Sequence, residues 1–291
     1  MSMFKNLTIY TIPREWLFDE DAMRSAAAFV PCDSWSMESG GFLPVLDDRL
    51  IYPVGDQLAL RFGIERRILP PAVIQRELDQ RIADLDSSGR FVGKRERAEI
   101  KEEVIAALLP RSFTVLSHIG AWINPVAGML FIDTPSAAKA GMVVAKLMAA
   151  HIGLMPRLLN SVTKIGAGEA MGRWVSQSYE PAGFSVDSEC SVDGPDGLSA
   201  AYRGFILDET AAADYVSHGM RVKRLAMTSR GVSFLLRDTG AITRIRWADI
   251  QRDEAESAQE QFEIDFALMA GTYQHIVDAL VSEFGGIEGR E

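Results

Sequence analysis

The chain has 291 residues, 47% of them hydrophobic and 24% charged, with a net charge of −10. That is enough to bury a sizeable core in one large domain or two smaller ones. Two cysteines, Cys32 and Cys190, exclude a disulfide framework and read as reduced thiols, and no apolar run reaches the length of a membrane span. The first residues include Lys5, Asn6, Thr8 and Tyr10 and are unlike a signal peptide, so the expectation is a cytoplasmic protein.

Phe4 to Ile12 alternates and is rich in β-branched and aromatic residues, which predicts a strand. Asp19 to Phe29 predicts a short helix, with Asp19 as N-cap and Ala22, Met23, Ala26 and Ala27 on its apolar side. Glu38-Ser-Gly-Gly41 reads as a loop. Arg49 to Pro53 and Gln57 to Glu65 predict a hairpin around Pro53-Val-Gly-Asp56. Pro70-Pro71 opens a long helix running through about Asp86, because proline suits a first helical turn. Ser87-Ser-Gly-Arg-Phe-Val-Gly93 breaks it, and a second helix runs from Lys94 to Leu109. Val104, Ile105, Leu108 and Leu109 form its apolar side, and Pro110 disfavours helix at the preceding residue and ends it. The pair reads as a helical hairpin inserted between strand-rich segments, able to protrude as an arm. Arg111 and Phe113 follow directly. Phe113 reads either as core of a strand Ser112 to Leu116 or as an exposed contact point beyond the helix end.

Ser112 to Leu116, Ala121 to Asn124 and Met129 to Asp133 predict strands, the last two joined by the turn Pro125-Val-Ala-Gly128. Ser136 to Ile152 predicts an Ala-rich helix capped by Ser136, Leu154 to Leu159 a strand, and Glu169 to Ser176 a short helix. After the Pro181-Ala-Gly183 turn, Phe184 to Val192 alternates as a strand and Thr210 to His218 reads as a helix. A meander follows, Leu225 to Thr228, Val232 to Arg237 and Ala241 to Trp247, with tight turns at Ser229-Arg-Gly231 and Asp238-Thr-Gly240. Gln259 to Phe284 is the last long helix. The expected class is α+β: two strand-rich halves, residues 1–69 with 112–180 and residues 181–286, with the helical hairpin 70–111 inserted in the first. The tail 287–291 contains Ile287-Glu-Gly-Arg290, a factor Xa recognition sequence that reads equally as a native polar end, and it carries no functional argument.

Catalytic motifs are absent from the linear sequence. There is no phosphate-binding Gly-x-x-x-x-Gly-Lys-Ser/Thr, no Gly-x-Ser-x-Gly nucleophile elbow, and Gly166-Ala-Gly168 lacks the third glycine of a dinucleotide loop. His118, His151, His218 and His275 stand far apart without metal-ligand spacing and read as structural or surface histidines. A nuclease carboxylate cluster could assemble in three dimensions, but no motif points to one. Zinc-finger, zipper and RNP-like patterns are missing too, so sequence-specific readout of bases is not indicated.

The charges are unevenly placed. Asp249 to Asp265 holds seven acids against Arg252, whereas Arg221 to Arg246 holds seven cations against Asp238. A basic surface on an acidic body is therefore permitted, since phosphate binding follows local cation density rather than net charge. Three sets of cations stand out as places where such a surface could form. Lys94, Arg95, Arg97 and Lys101 lie along the second hairpin helix, interleaved with Glu96, Glu99 and Glu102, and read either as a contact face or as a solvated one. Arg244 and Arg246, two apart, project from one face of a strand, and Lys223 and Arg224 lie just before the first meander strand with few acids nearby. Arg203, beside Tyr202, is the third.

Phe4-Lys-Asn-Leu-Thr-Ile-Tyr10, Phe29-Val-Pro-Cys32, Gly41-Phe-Leu-Pro44, Ile68-Leu-Pro-Pro-Ala-Val-Ile74 and Leu108-Leu-Pro-Arg-Ser-Phe113 occur in that order. Trp122-Ile-Asn-Pro-Val-Ala-Gly128, Lys223-Arg-Leu-Ala226 and Phe262-Glu-Ile-Asp-Phe-Ala-Leu-Met-Ala-Gly271 follow them. Through this ordered set the chain resembles the RdgC family of bacterial recombination-associated DNA-binding proteins. The resemblance implies a ring-shaped homodimer that binds duplex DNA without sequence preference and restrains the RecA pathway. It further implies a nucleoid-associated cytoplasmic protein with no cofactor. It makes the three sets of cations above, together with Arg111, the candidates for DNA contact, and Pro110 and Phe113 the candidates for a ring-closing dimer contact. Two other classes stay open: a regulator of a protein partner acting through the acidic 249–265 region, and an unrecognised nuclease.

Overall fold

In a computed structural model of the chain, residues 3–204, 214, 216, 218–248 and 255–290 are described. The predicted helix at 210–218 falls mostly outside them, as do residues 249–254 of the acidic segment. The described residues form six α-helices and two antiparallel sheets.

The first sheet has seven strands: β1 (Thr8–Thr11), β2 (Glu38–Leu43), β3 (Ile51–Val54), β4 (Gln57–Arg67), β5 (Thr114–Asn124), β6 (Met129–Ile132) and β7 (Arg157–Leu158). Their order is β2-β4-β5-β6-β1-β7, with β3 also paired to β4. One face packs on α1 (Glu20–Ala26) and α4 (Ala137–Ala150), where Phe42, Phe62, Ile123 and Leu130 meet Met23, Val143 and Leu147. The Asp19 side chain accepts from the Asp21 N–H and that of Ser136 from the Lys139 N–H, each serving as an N-cap.

Three predictions about this sheet are corrected. Glu38 to Gly41 is strand rather than loop: β2 pairs with β4 from Glu38–Arg66 to Leu43–Arg61. On its other side the Ala27 carbonyl and the Phe29 N–H bond to Phe42 (2.8 Å each), which is why α1 stops at Ala26 instead of continuing to Phe29. A Cβ at Gly41 would lie 2.5 Å from the Phe29 Cα, so this approach requires glycine. The segments Ser112 to Leu116 and Ala121 to Asn124 are one strand, because β4 pairs with β5 without interruption from Leu58–Ile123 to Arg67–Thr114. The strand at Leu154 to Leu159 shrinks to two residues, Arg157–Leu158.

The opposite face of the sheet lies against α6 (Ala258–Glu283). Phe262, Phe266, Met269, Tyr273, Ile276, Val277 and Leu280 form its buried stripe at helical spacing. Trp122 stacks on Phe131 (4.0 Å between ring centroids) and touches Phe4, Phe266 and Tyr273. Full burial of side chains of this kind contributes about 1.5–3 kcal/mol each.

The second sheet consists of β8 (Ser185–Asp193), β9 (Ser199–Arg203), β10 (Arg221–Ser229), β11 (Val232–Arg237) and β12 (Ile242–Trp247), in the order β12-β11-β10-β8-β9. Its inner residues Val192, Val222, Leu225, Met227, Phe234, Leu236 and Ile242 join the same core as α5 (Ala167–Ser176), α6 and Trp122. Burial within it pushes the Cys190 thiol up to about 11. The sheets are also stitched directly: Leu7 and Ile242 exchange two backbone hydrogen bonds of 2.7 and 3.0 Å. The Tyr273 hydroxyl donates to the Phe4 carbonyl (2.7 Å) and accepts from Trp247 Nε1 (3.0 Å).

Helices α2 (Pro71–Ser87) and α3 (Lys94–Leu108) fill the connection between β4 and β5. They close a small core of their own around Leu78, Ile100 and Val104. At their base the Ile68 N–H donates to the Phe113 carbonyl (2.8 Å), and the Arg67 guanidinium donates to the carbonyls of Leu109, Ser112 and Asp33. Residues 287–290 belong to the fold: Ile287 is buried beside Thr163, and Arg290 donates to the carbonyls of Ile12, Ala127 and Gly128. Among the described residues no helix is long and apolar enough to cross a membrane.

Candidate nucleic-acid interface

Alternation along the second sheet puts its apolar residues on the core and sends the intervening ones outward. Residues that face each other across strands share a side. Arg203 faces Glu189, Arg224 faces both Ser191 and Arg237, and Arg246 faces Ser233, which in turn faces Thr228. Arg203, Arg224, Arg237 and Arg246 therefore come to one surface from β9, β10, β11 and β12. Arg244 joins them through a bulge: the β11–β12 register shifts between Ser233 and Leu235, and the Arg244 backbone is left-handed (φ 54°). Bulges re-aim a side chain in this way, and the conformation is costly for a non-glycine residue. The Arg244 guanidinium reaches Glu189 on β8, 3.5 Å away and three strands over.

Leu235 and Thr243 sit in the middle of this surface. They are only 5% and 6% exposed, and Leu235 belongs to none of the three core clusters. The sheet thus curls around its cationic side.

Two expectations about these cations are corrected. Lys223 and Arg224 lie inside β10, not before it. Acids are not scarce in space: Lys223 is bonded to Asp238 (2.5 Å), which raises the pKa of its ammonium, and Glu189 contacts both Arg203 and Arg244. Asp187, also on β8, accepts from Thr228. Lys223 is thereby committed to an internal pair, whereas Arg237 and Arg246 have no ion-pair partner among the described residues. Arg237 was not among the candidates. The alternation of β11 through Ser233 and Leu235 would have placed it outward beside Arg224, once the β10–β11 pairing was recognised.

On the helical pair, Lys94, Arg95, Arg97 and Lys101 are all exposed. Arg95 pairs with Glu99 and Arg97 reaches across to Asp79, while Lys94 and Lys101 have no ion-pair partner among the described residues. Arg111 and Pro110 are exposed in the 3-10 turn Leu109–Arg111. Phe113 is 85% exposed and is not core; Val115 and Leu116 beside it are exposed as well. Residues 114–119 of β5 pair with β4 alone among the described strands, which leaves their other edge free.

A separate cavity of about 520 Å³ lies between the first sheet and the start of α6, lined by Phe4, Leu46, Arg61, His118, Asp133 and Phe262. Burial raises the pKa of Asp133 against the hydrogen bonds it accepts from Lys5 and Asn6, and burial followed by the nearby Arg61 lowers that of His118. Among the described residues no group of three or more His, Cys, Asp and Glu side chains is placed to hold a metal ion.

The sequence pattern of the family described as "Putative exonuclease, RdgC" matches residues 2–287. The chain is 32% identical to the recombination-associated protein RdgC of Janthinobacterium sp. (strain Marseille), with 97% of this chain and 98% of that protein covered. It is 30% identical to the RdgC of Herminiimonas arsenicoxydans, covering 99% of both, and 31% identical to that of Shewanella piezotolerans, covering 98% of both.

Proposed function

Because the chain belongs to the RdgC family, whose curated relatives are named as recombination-associated, we propose that it binds duplex DNA through the outer face of its second sheet. The observation that carries this reading is the meeting of Arg203, Arg224, Arg237, Arg244 and Arg246 on one curled surface, with Arg224 and Arg237 directly opposed. Guanidinium groups suit phosphate oxygens, and contacts to phosphate carry no sequence information, so binding in this reading is independent of sequence.

In this reading two copies close into a ring around DNA, with Pro110 and the exposed Phe113 forming one contact and the helical pair acting as an arm. Lys94, Arg95, Arg97, Lys101 and Arg111 add cations along that arm. Bound DNA is then less accessible to RecA. The protein works in the cytoplasm on the nucleoid and requires no catalytic step.

The test is a binding titration with random and defined duplexes over a range of salt. Each neutralised phosphate adds about −0.9 to the slope of log K against log salt. Equal affinity across sequences with a steep slope is expected; a strong preference for one sequence overturns the reading. Loss of DNA in the presence of divalent cations would instead favour the exonuclease of the family description.

A further inference from the structure

Resting on the DNA-binding reading above, we propose that Glu189 occupies, in the free protein, a seat that a DNA backbone phosphate takes on binding. Arg203 and Arg244 are the two walls of that phosphate site, and the carboxylate is an internal competitor for it.

One oxygen carries the argument. Glu189 Oε1 lies 3.5 Å from Arg244 Nη1 and 3.8 Å from Arg203 Nη2. Arg203 is the residue directly facing Glu189 across β8 and β9, so the strand register fixes that half of the site. The other half comes from β12. Three inter-strand steps of about 4.8 Å separate β12 from β8, and only the curl of the sheet together with the Arg244 bulge lets the guanidinium arrive. Arg224 adds a third cation two positions along β8, where its Nε donates to Ser191 Oγ (3.0 Å).

A carboxylate and a phosphodiester present guanidinium groups with the same acceptor chemistry. Both contacts are longer than a charge-assisted hydrogen bond of about 2.7–2.9 Å, so the carboxylate is held loosely. The arginine side chains are 68% and 54% exposed and that of Glu189 is 25% exposed, which leaves the solvent side of both guanidinium groups open to an incoming anion. Without DNA the carboxylate relieves the repulsion between the arginines. With DNA it must turn aside or stand close to a phosphate, and either outcome lowers affinity.

The experiment is fluorescence anisotropy of the full chain with a labelled random-sequence duplex at several salt concentrations, comparing wild type with Glu189→Gln. The glutamine keeps the size and an acceptor oxygen but removes the charge. It is expected to bind roughly three- to fivefold tighter, the scale of an exposed charge pair. Combining it with Arg203→Ala and Arg244→Ala is expected to cancel the gain. Thermal melting of each variant verifies the fold, and Glu189→Ala replaces the glutamine if that variant melts early. Unchanged or weaker binding by a folded Glu189 variant, beside a wild type that binds, overturns this inference and leaves the DNA-binding reading intact. No binding by either protein at low salt overturns both.

Discussion

Arg224 of β10 and Arg237 of β11 face each other as direct cross-strand partners, two cations where opposite charges would be more stable. Arg237→Glu turns that pair into an attractive one. Stability is expected to rise by about 0.2–1 kcal/mol, while DNA affinity falls. Urea unfolding beside a DNA titration of the same variant measures both. A fall in both would make Arg237 a structural residue.

Arg244→Glu together with Arg246→Glu is expected to weaken DNA binding and reduce the salt slope, with a melting curve close to wild type, since both side chains are exposed. If affinity stays unchanged in the folded variant, this edge of the sheet is only a solvated surface.

Phe113→Ala is expected to leave the melting temperature nearly unchanged. Truncating a buried phenylalanine costs about 3–5 kcal/mol, but this ring is 85% exposed. If it anchors a partner copy, the variant releases DNA faster and shows a raised dimer dissociation constant in sedimentation. Identical sedimentation and DNA retention would remove Phe113 from any interface.

Tyr273→Phe removes one hydroxyl that serves the Phe4 carbonyl and the Trp247 indole N–H together. Leaving such buried groups unpaired is expected to cost about 1–3 kcal/mol. The readout is the urea midpoint at constant m-value.

Asp133 has its pKa raised chiefly by burial. The unfolded chain therefore ionises this carboxyl more readily than the folded one. Its contribution to stability is fully present below the ordinary aspartate pKa of about 3.9 and is lost as pH rises through the folded value. Asp133→Asn, which keeps an acceptor for Lys5 and Asn6, is expected to match wild type near pH 4 and exceed it at neutral pH. Parallel stability curves for the two proteins across that range would show that burial does not control this group.

Helices were the most legible part of the sequence, because Pro71, Asp19, Ser136 and the breaks at Gly89 and Gly93 are local signals. The strand β2 escaped because Ser39-Gly-Gly41 has no β-branched residue, and its glycines are there for a neighbouring backbone. The division of β5 came from Ser117-His118, polar residues in a stretch that leaves the core while staying paired to β4. Four of the five arginines on the candidate surface stand out in the sequence, but the two-residue spacing of Arg244 and Arg246 is not what brings them together: the bulge at Arg244 is. The acids that temper this surface do not stand out, since Glu189 and Asp187 lie more than fifty positions before Arg244 and only the strand order brings Glu189 to it.

The Phe4 N–H donates to Met269 Sδ across 265 positions of sequence. A ribosome therefore delivers the second side of this contact 265 residues after the first. Until residues 258–283 emerge, Trp122, Phe131 and the rest of that sheet face have no cover from α6. At about 5–20 residues per second that interval lasts on the order of ten seconds or more. The nascent chain consequently carries an incompletely covered aromatic surface during that interval, and its yield in the cell depends on how well that surface is shielded from other chains before α6 arrives.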